Sequence, residues 1–157
     1  MTEDSAPRPS WKRNALLAIG AGGLIAGTLD LTQAFILFGR RVPLAIAGGL
    51  LGQPAFHGGA GTYVLGVSLH FLIAFSATAI YYAASRKLDF LTEHPLVCGL
   101  FYGIAVELVM SYIVLPLSAL HARGPYELHD VILGLVVHMV LVGLPISFSV
   151  RRFAKRN

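Results

Sequence analysis

Four long apolar runs, each closed by charge or by glycine and proline, set the pattern of this chain. The clearest is TYVLGVSLHFLIAFSATAIYYAAS, Thr62 to Ser85. It is long enough to cross a bilayer, since about 20 residues at about 1.5 Å rise cover a hydrocarbon core roughly 30 Å thick. The others run from about Asn14 to Phe38, ending at Arg40-Arg41, from Pro95 to Leu120, and from Leu128 to Val150. The pattern predicts an all-α integral membrane protein, a single membrane domain of four transmembrane helices over 14–38, 62–85, 95–120 and 128–150. A polar, proline-bearing stretch over 1–12 reads as a disordered tail and 151–157 as a basic tail. The first run has no small-residue cleavage site after it, so it reads as a helix that is kept and not as a removed signal peptide.

Between the first two runs lies VPLAIAGGLLGQPAFHGGAG. Its apolar part, 43–53, is about half of what a crossing needs, so it predicts a short interfacial or re-entrant helix, with Pro43 in its first turn. The glycine-rich piece from His57 to Gly61 then makes a tight return. Such a segment is tolerated at membrane depth only against protein or a wet cavity, which suits it to capping whatever the bundle encloses.

Composition agrees with this class: 55% of the 157 residues are hydrophobic and 13% charged, with mean hydropathy +0.69. The net charge of +4 would suggest nucleic acid were it clustered on one face, but the charges flank apolar runs, where membrane lipid and topology explain them. No nucleic-acid partner is expected. Arg8, Lys12, Arg13, Arg86, Lys87, Arg151, Arg152, Lys155 and Arg156 fall on one side, and Arg40, Arg41 and Arg123 on the other. The positive-inside rule then puts both termini in the cytoplasm. The stretch VMSYIVLPLSALHARGPYELHD resembles bacterial inner-membrane sequence, and the expected location is a bacterial-type cytoplasmic membrane. The lone Cys98 excludes an intrachain disulfide and CxxC chemistry.

Each apolar run holds one ionisable residue well inside it: Asp30, His70, Glu107 and His138. A glycine stands three or four residues before each, at Gly27, Gly66, Gly103 and Gly134. Residues at that spacing share a helix face, and membrane helices approach one another through small residues. The four ionisable groups should therefore face the bundle interior. On the second run Gly66, Ala74, Ala77 and Tyr81 share the face of His70. Counted from the outer span ends at about 1.5 Å per residue, Asp30, His70 and His138 fall within about 3 Å of one level, and Glu107 up to about 8 Å deeper. Met110 comes nearer that level. Odd runs carry a carboxylate and even runs a histidine, so the chain reads as a tandem repeat of two helical hairpins, LGVSLHFLIAF echoing LGLVVHMVLVG.

Two imidazoles and one or two carboxylates suit a divalent transition metal ion, or a proton relay of the kind found in membranes. The expected activity is cation binding for transport or metal-dependent redox work. Haem is an alternative, with His70 and His138 as axial ligands of a b-type electron carrier. A non-catalytic accessory subunit is a third reading, since a polar residue in a span often serves as interhelical glue worth about 0.6 kcal/mol. In that case Asp30 would pair with His70 or His138. His57, His121, His129 and Asp130 lie in outer loops, and the face shared by Asp130, Gly134 and His138 offers an access route. The tyrosines read mostly as an interfacial belt, with Tyr102 deeper and bonded internally, and Pro116 and Pro145 as kinks, with Ser118 and Ser147 re-satisfying backbone groups. Phosphate-loop, GxSxG and HExxH patterns are absent. Four helices are few for a transporter, so a homo-oligomer or partner membrane subunit is expected, with Gly23 and Gly27 as one contact.

Overall fold

Helices form along the apolar runs because every backbone N–H and C=O is then bonded within its own segment. The computed structural model describes residues 10–124 and 127–153 and has no strand among them. Four helices are long and apolar enough to cross a membrane: α1 (Ser10–Phe38), α3 (Ala60–Ser85), α4 (Pro95–Leu117) and α5 (Leu128–Phe153). These are the marks of a multi-pass membrane helical bundle. A short α2 (Val42–Leu51) follows α1, and a 3-10 turn, Gln53–His57, follows α2 just before the glycine stretch expected to make the return. Gly39 (φ 78°) ends α1 and Gly52 (φ 71°) ends α2, in a left-handed conformation that glycine adopts without steric cost. Of the tails expected at 1–12 and 151–157, residues 1–9 and 154–157 lie outside the described residues. Helix α1 begins at Ser10 and α5 includes Phe153, so residues 10–12 and 151–153, expected in the tails, are helical.

Helix α1 lies between α3 and α5, and α5 carries α4 on its other side. Small residues make these approaches. A methyl group at Gly23 or Gly27 would strike Phe75 or Phe71 of α3, and one at Gly22 would strike Thr78. The Gly23–Gly27 pair is thus used inside the chain and is not free for a second copy. Between α4 and α5 the main chains nearly touch: a methyl at Gly99 or Gly103 would collide with Ser147 or the His138 carbonyl, and one at Gly143 with the Gly99 carbonyl. Ala18, Ala26, Ala77, Tyr81, Val142, Ile146 and Val150 form the core beneath.

Tyr81, expected in the interfacial belt, belongs to that core, and Tyr102, expected to lie deeper and bond internally, packs against it. Tyr81 is 1% exposed and donates to Leu91 O at 3.0 Å, while Tyr102 donates to Ala77 O at 2.7 Å. Their rings meet edge-on at 4.9 Å. The Tyr102 bond ties α4 to α3 in the half nearer the termini.

At the other end α2 spans the gap. Gly66 of α3 lets the Pro43 carbonyl come close, Gly48 packs on Leu120, and Ala119 N–H donates to Gly49 O at 2.8 Å. The exterior of the long helices is apolar: Leu16, Ile36, Leu72, Ile80, Phe101 and Ile132 are all exposed. So large an exposed apolar surface is foreign to water-soluble monomers.

Pro116 and Pro145 produce something more specific than a kink. Each lacks an N–H for the carbonyl four residues back and its ring crowds that carbonyl. The residue before each proline bonds instead five residues back, Leu115 N–H to Met110 O and Leu144 N–H to Met139 O. The result is a π-helical turn at Met110–Val114 in α4 and another at His138–Gly143 in α5. Ser118 and Ser147 cap local carbonyls, Leu115 O at 2.7 Å and Leu144 O at 3.0 Å. Ser147 also reaches Pro95 O at 2.8 Å, locking α5 to the start of α4.

Candidate functional site

The π turns lie beside the two ionisable residues that meet. His138 Nδ1 stands 2.9 Å from Glu107 Oε2 and 3.0 Å from Gly134 O. A carbonyl only accepts, so this geometry selects the tautomer with hydrogen on Nδ1, shared between the two oxygens. The other carboxylate oxygen, Oε1, accepts from Ser111 Oγ at 2.8 Å. Both side chains are largely buried, 19% and 15% exposed. Gly134 supplies room for the carboxylate, since a methyl there would meet Glu107 Oε1, and Gly103 supplies room for the His138 main chain. Each glycine thus seats the other helix's ionisable residue.

Glu107 was expected up to about 8 Å below the common level. It is level with His138 because α4 stops at Leu117, not Leu120, which shortens the count from its end by three residues. The pairing of Asp30 with a histidine, foreseen for a purely structural cluster, does not occur. His70 Nε2 donates to Gly27 O at 2.8 Å instead. The Asp30 carboxylate makes no side-chain hydrogen bond or ion pair among the described residues, yet it is near enough to His138 to interact electrostatically.

All four sequence-selected residues line a pair of adjoining cavities. One, of about 540 Å³, is bounded by α1, α2, α3, α4 and the His138–Val142 turn, with Asp30, His70 and His138 in its wall. The second, of about 420 Å³, lies between α1, α4 and α5 and adds Glu107, Ser111, Asp130 and Gly134. Asp30, Ile46, His70, Met110, Leu115 and His138 border both. Ala45, Ile46, Gly49 and Leu50 of α2 cap the larger one, the position the short helix was expected to take.

The loop residues divide. Asp130 lines the second cavity and sits 3.2 Å from His129, both well exposed. His57 is exposed and His121, also exposed, approaches Pro116 O at 3.3 Å; neither borders either of these two cavities. Ser111 and the π turns escaped the sequence reading. Their signal was present as Met-x-x-x-x-Leu-Pro at both Met110–Pro116 and Met139–Pro145.

Among the described residues no three His, Cys, Asp or Glu side chains gather as a metal-holding group. His138 Nδ1 is held by Glu107 and the Gly134 carbonyl and His70 Nε2 by the Gly27 carbonyl, which engages one ring nitrogen of each. No known family matches the chain, and comparisons with curated proteins and with solved structures returned no match.

Proposed function

We propose that this chain is a multi-pass protein of a bacterial-type cytoplasmic membrane, and that its Glu107–His138 pair takes up and releases a proton in the service of cation transport. The observation that carries the proposal is the 2.9 Å contact of those side chains between α4 and α5, in the wall of a cavity that also holds Asp30 and His70. Ionised Glu107 beside a neutral imidazole has one net negative charge, and one added proton cancels it. In an apolar surround such a change of charge is a large electrostatic event. The apolar exterior and the excess of basic residues at the termini's end support the membrane placement.

The two-hairpin repeat has support of the same kind. In each half the histidine of the second helix bonds to the first, His70 to Gly27 O and His138 to Glu107. A homo-oligomer or a partner subunit is part of this proposal, on faces other than Gly23–Gly27.

The test is infrared titration of the purified protein in detergent, beside Glu107→Gln and His138→Gln. Asp30, His70, Asp130 and Ser111 also face the pair and are followed through their own variants. Carboxyl and imidazole bands that change together in the wild type, and separately or not at all in either variant, are the expected result. Bands that titrate identically in wild type and variants would remove the proposal. Elemental analysis and a visible spectrum on the same samples cover the other readings: stoichiometric metal lost in His138→Gln would replace the proton by a metal, and a Soret band would indicate haem. A co-purifying subunit with no titration would favour the accessory role.

A further inference from the structure

We propose that the larger cavity binds an amphipathic organic cation, an ammonium or other onium group on an apolar body, with the Asp30 carboxylate as its counter-charge. This rests on the membrane placement given above. Three observations converge on it.

The first is the state of the ionisable groups. Glu107 is satisfied by His138 and Ser111, and His70 by Gly27 O. Asp30 alone of the four makes no side-chain hydrogen bond or ion pair among the described residues, and it is half-buried. A half-buried carboxylate in the wall of an apolar cavity supplies a counter-charge, and a cationic ligand beside it would be favoured.

The second is the chemistry of the wall. A volume of about 540 Å³ falls in the range of about 300–1,000 Å³ typical of sites for small organic molecules. Most of the lining is aliphatic, including Ile46, Leu69, Ile73, Val106 and Val142. A bare inorganic cation such as Ca²⁺ needs about six or more oxygens to replace its water, which this wall does not offer. An organic cation needs one counter-charge and an apolar surface, and both are present.

The third is the way in. The cavity is walled by Ile73 of α3 and by Ile113, Val114 and Leu117 of α4, and all four are exposed. The helices are tied at Tyr102–Ala77 in the half nearer the termini. The cavity thus meets the exterior sideways between α3 and α4, where a lipid-soluble cation arrives from the bilayer.

The experiment measures equilibrium binding of tetraphenylphosphonium to the purified full chain in nanodiscs, with tetraphenylborate as a probe of like shape and opposite charge. Saturable binding of the cation and not of the anion is expected. Asp30→Asn should weaken it about 30-fold or more, the scale for removing one partner of a desolvated charge pair, while Asp30→Glu keeps it. Ala45→Trp, which narrows the cavity from α2 without altering charge, should weaken it too. No saturable binding to the wild type, equal binding of the borate, or undiminished binding by Asp30→Asn overturns the inference. Should Asp30→Asn fail to fold, Ala45→Trp decides, and undiminished binding there overturns it equally. Infrared titration of the same samples separates the two proposals: a coupled Glu107–His138 titration without cation binding defeats this inference alone, and cation binding without that titration defeats only the proton reading.

Discussion

Gly103 is where one missing methyl group decides whether the site exists. The His138 carbonyl occupies the space a side chain would need, and the Glu107 carboxylate one turn along α4 meets the His138 imidazole only because the two backbones come so close. Gly103→Ala should therefore cost about 1–3 kcal/mol, the usual range for overpacking. It should also separate Glu107 from His138. Gly20→Ala is the control, since nothing lies within 4 Å of that position and alanine favours helix. Thermal unfolding in detergent, read with the infrared bands of the pair, checks both; equal stability of the two variants would contradict the packing argument. The sequence disclosed that glycines shared a face with each ionisable residue, because a period of three or four is a local property. It did not disclose what each glycine faces. Gly66 proved to serve Pro43 of α2, and Gly134 the carboxylate of Glu107, pairings that depend on how four helices are ordered around one another.

At the scale of the helix, the π turns set the direction of the side chains around them. A π turn holds one extra residue, and one residue of α-helix is about 100° of rotation at 3.6 residues per turn. Proline at 145 forces the wider turn, which begins at His138 itself. Pro145→Ala restores the missing N–H and removes the clash, so the turn should tighten toward regular α-helix and turn His138 relative to the rest of α5. The expected outcome is loss of the Glu107–His138 contact with helix content unchanged or higher, read by infrared imidazole bands and circular dichroism. An intact contact would mean that the π turn is held by packing at Gly143 and not by the proline. From sequence, proline marked a kink, but the register change was hidden because it depends on which carbonyl the preceding residue finds. The end of α4 was hidden for a related reason. Ser118, Ala119 and Leu120 continue the apolar pattern, yet Ser118 is extended (ψ 165°) and Ala119 N–H leaves the helix for Gly49 O. A tertiary bond to α2 thus overrides a local propensity, and that three-residue difference is what brought Glu107 level with His138.

For the molecule as a whole, the order of helices and the placement of charge make one joint prediction. Arg13, Arg86, Lys87, Arg151 and Arg152 are exposed at the end holding the termini, and Arg40, Arg41 and Arg123 at the end holding α2. Moving a basic residue through the hydrocarbon core is costly on any scale, so the end with the larger number should stay in the cytoplasm. Four crossings, an even number, then return the chain to the side where it began. With Cys98→Ser as background, His57→Cys and Arg152→Cys place single thiols at opposite ends, both at exposed positions. In intact cells an impermeant maleimide should label the first and spare the second, and disrupting the membrane should expose both. The reverse pattern would invert the orientation and turn the α2-capped cavity toward the cytoplasm, leaving the bundle itself unchanged. Labelling of both in intact cells would be more serious, because termini and α2 on one side cannot be reconciled with α1 as a crossing, and the burial of Asp30, Glu107 and His138 in a membrane interior would lose its basis.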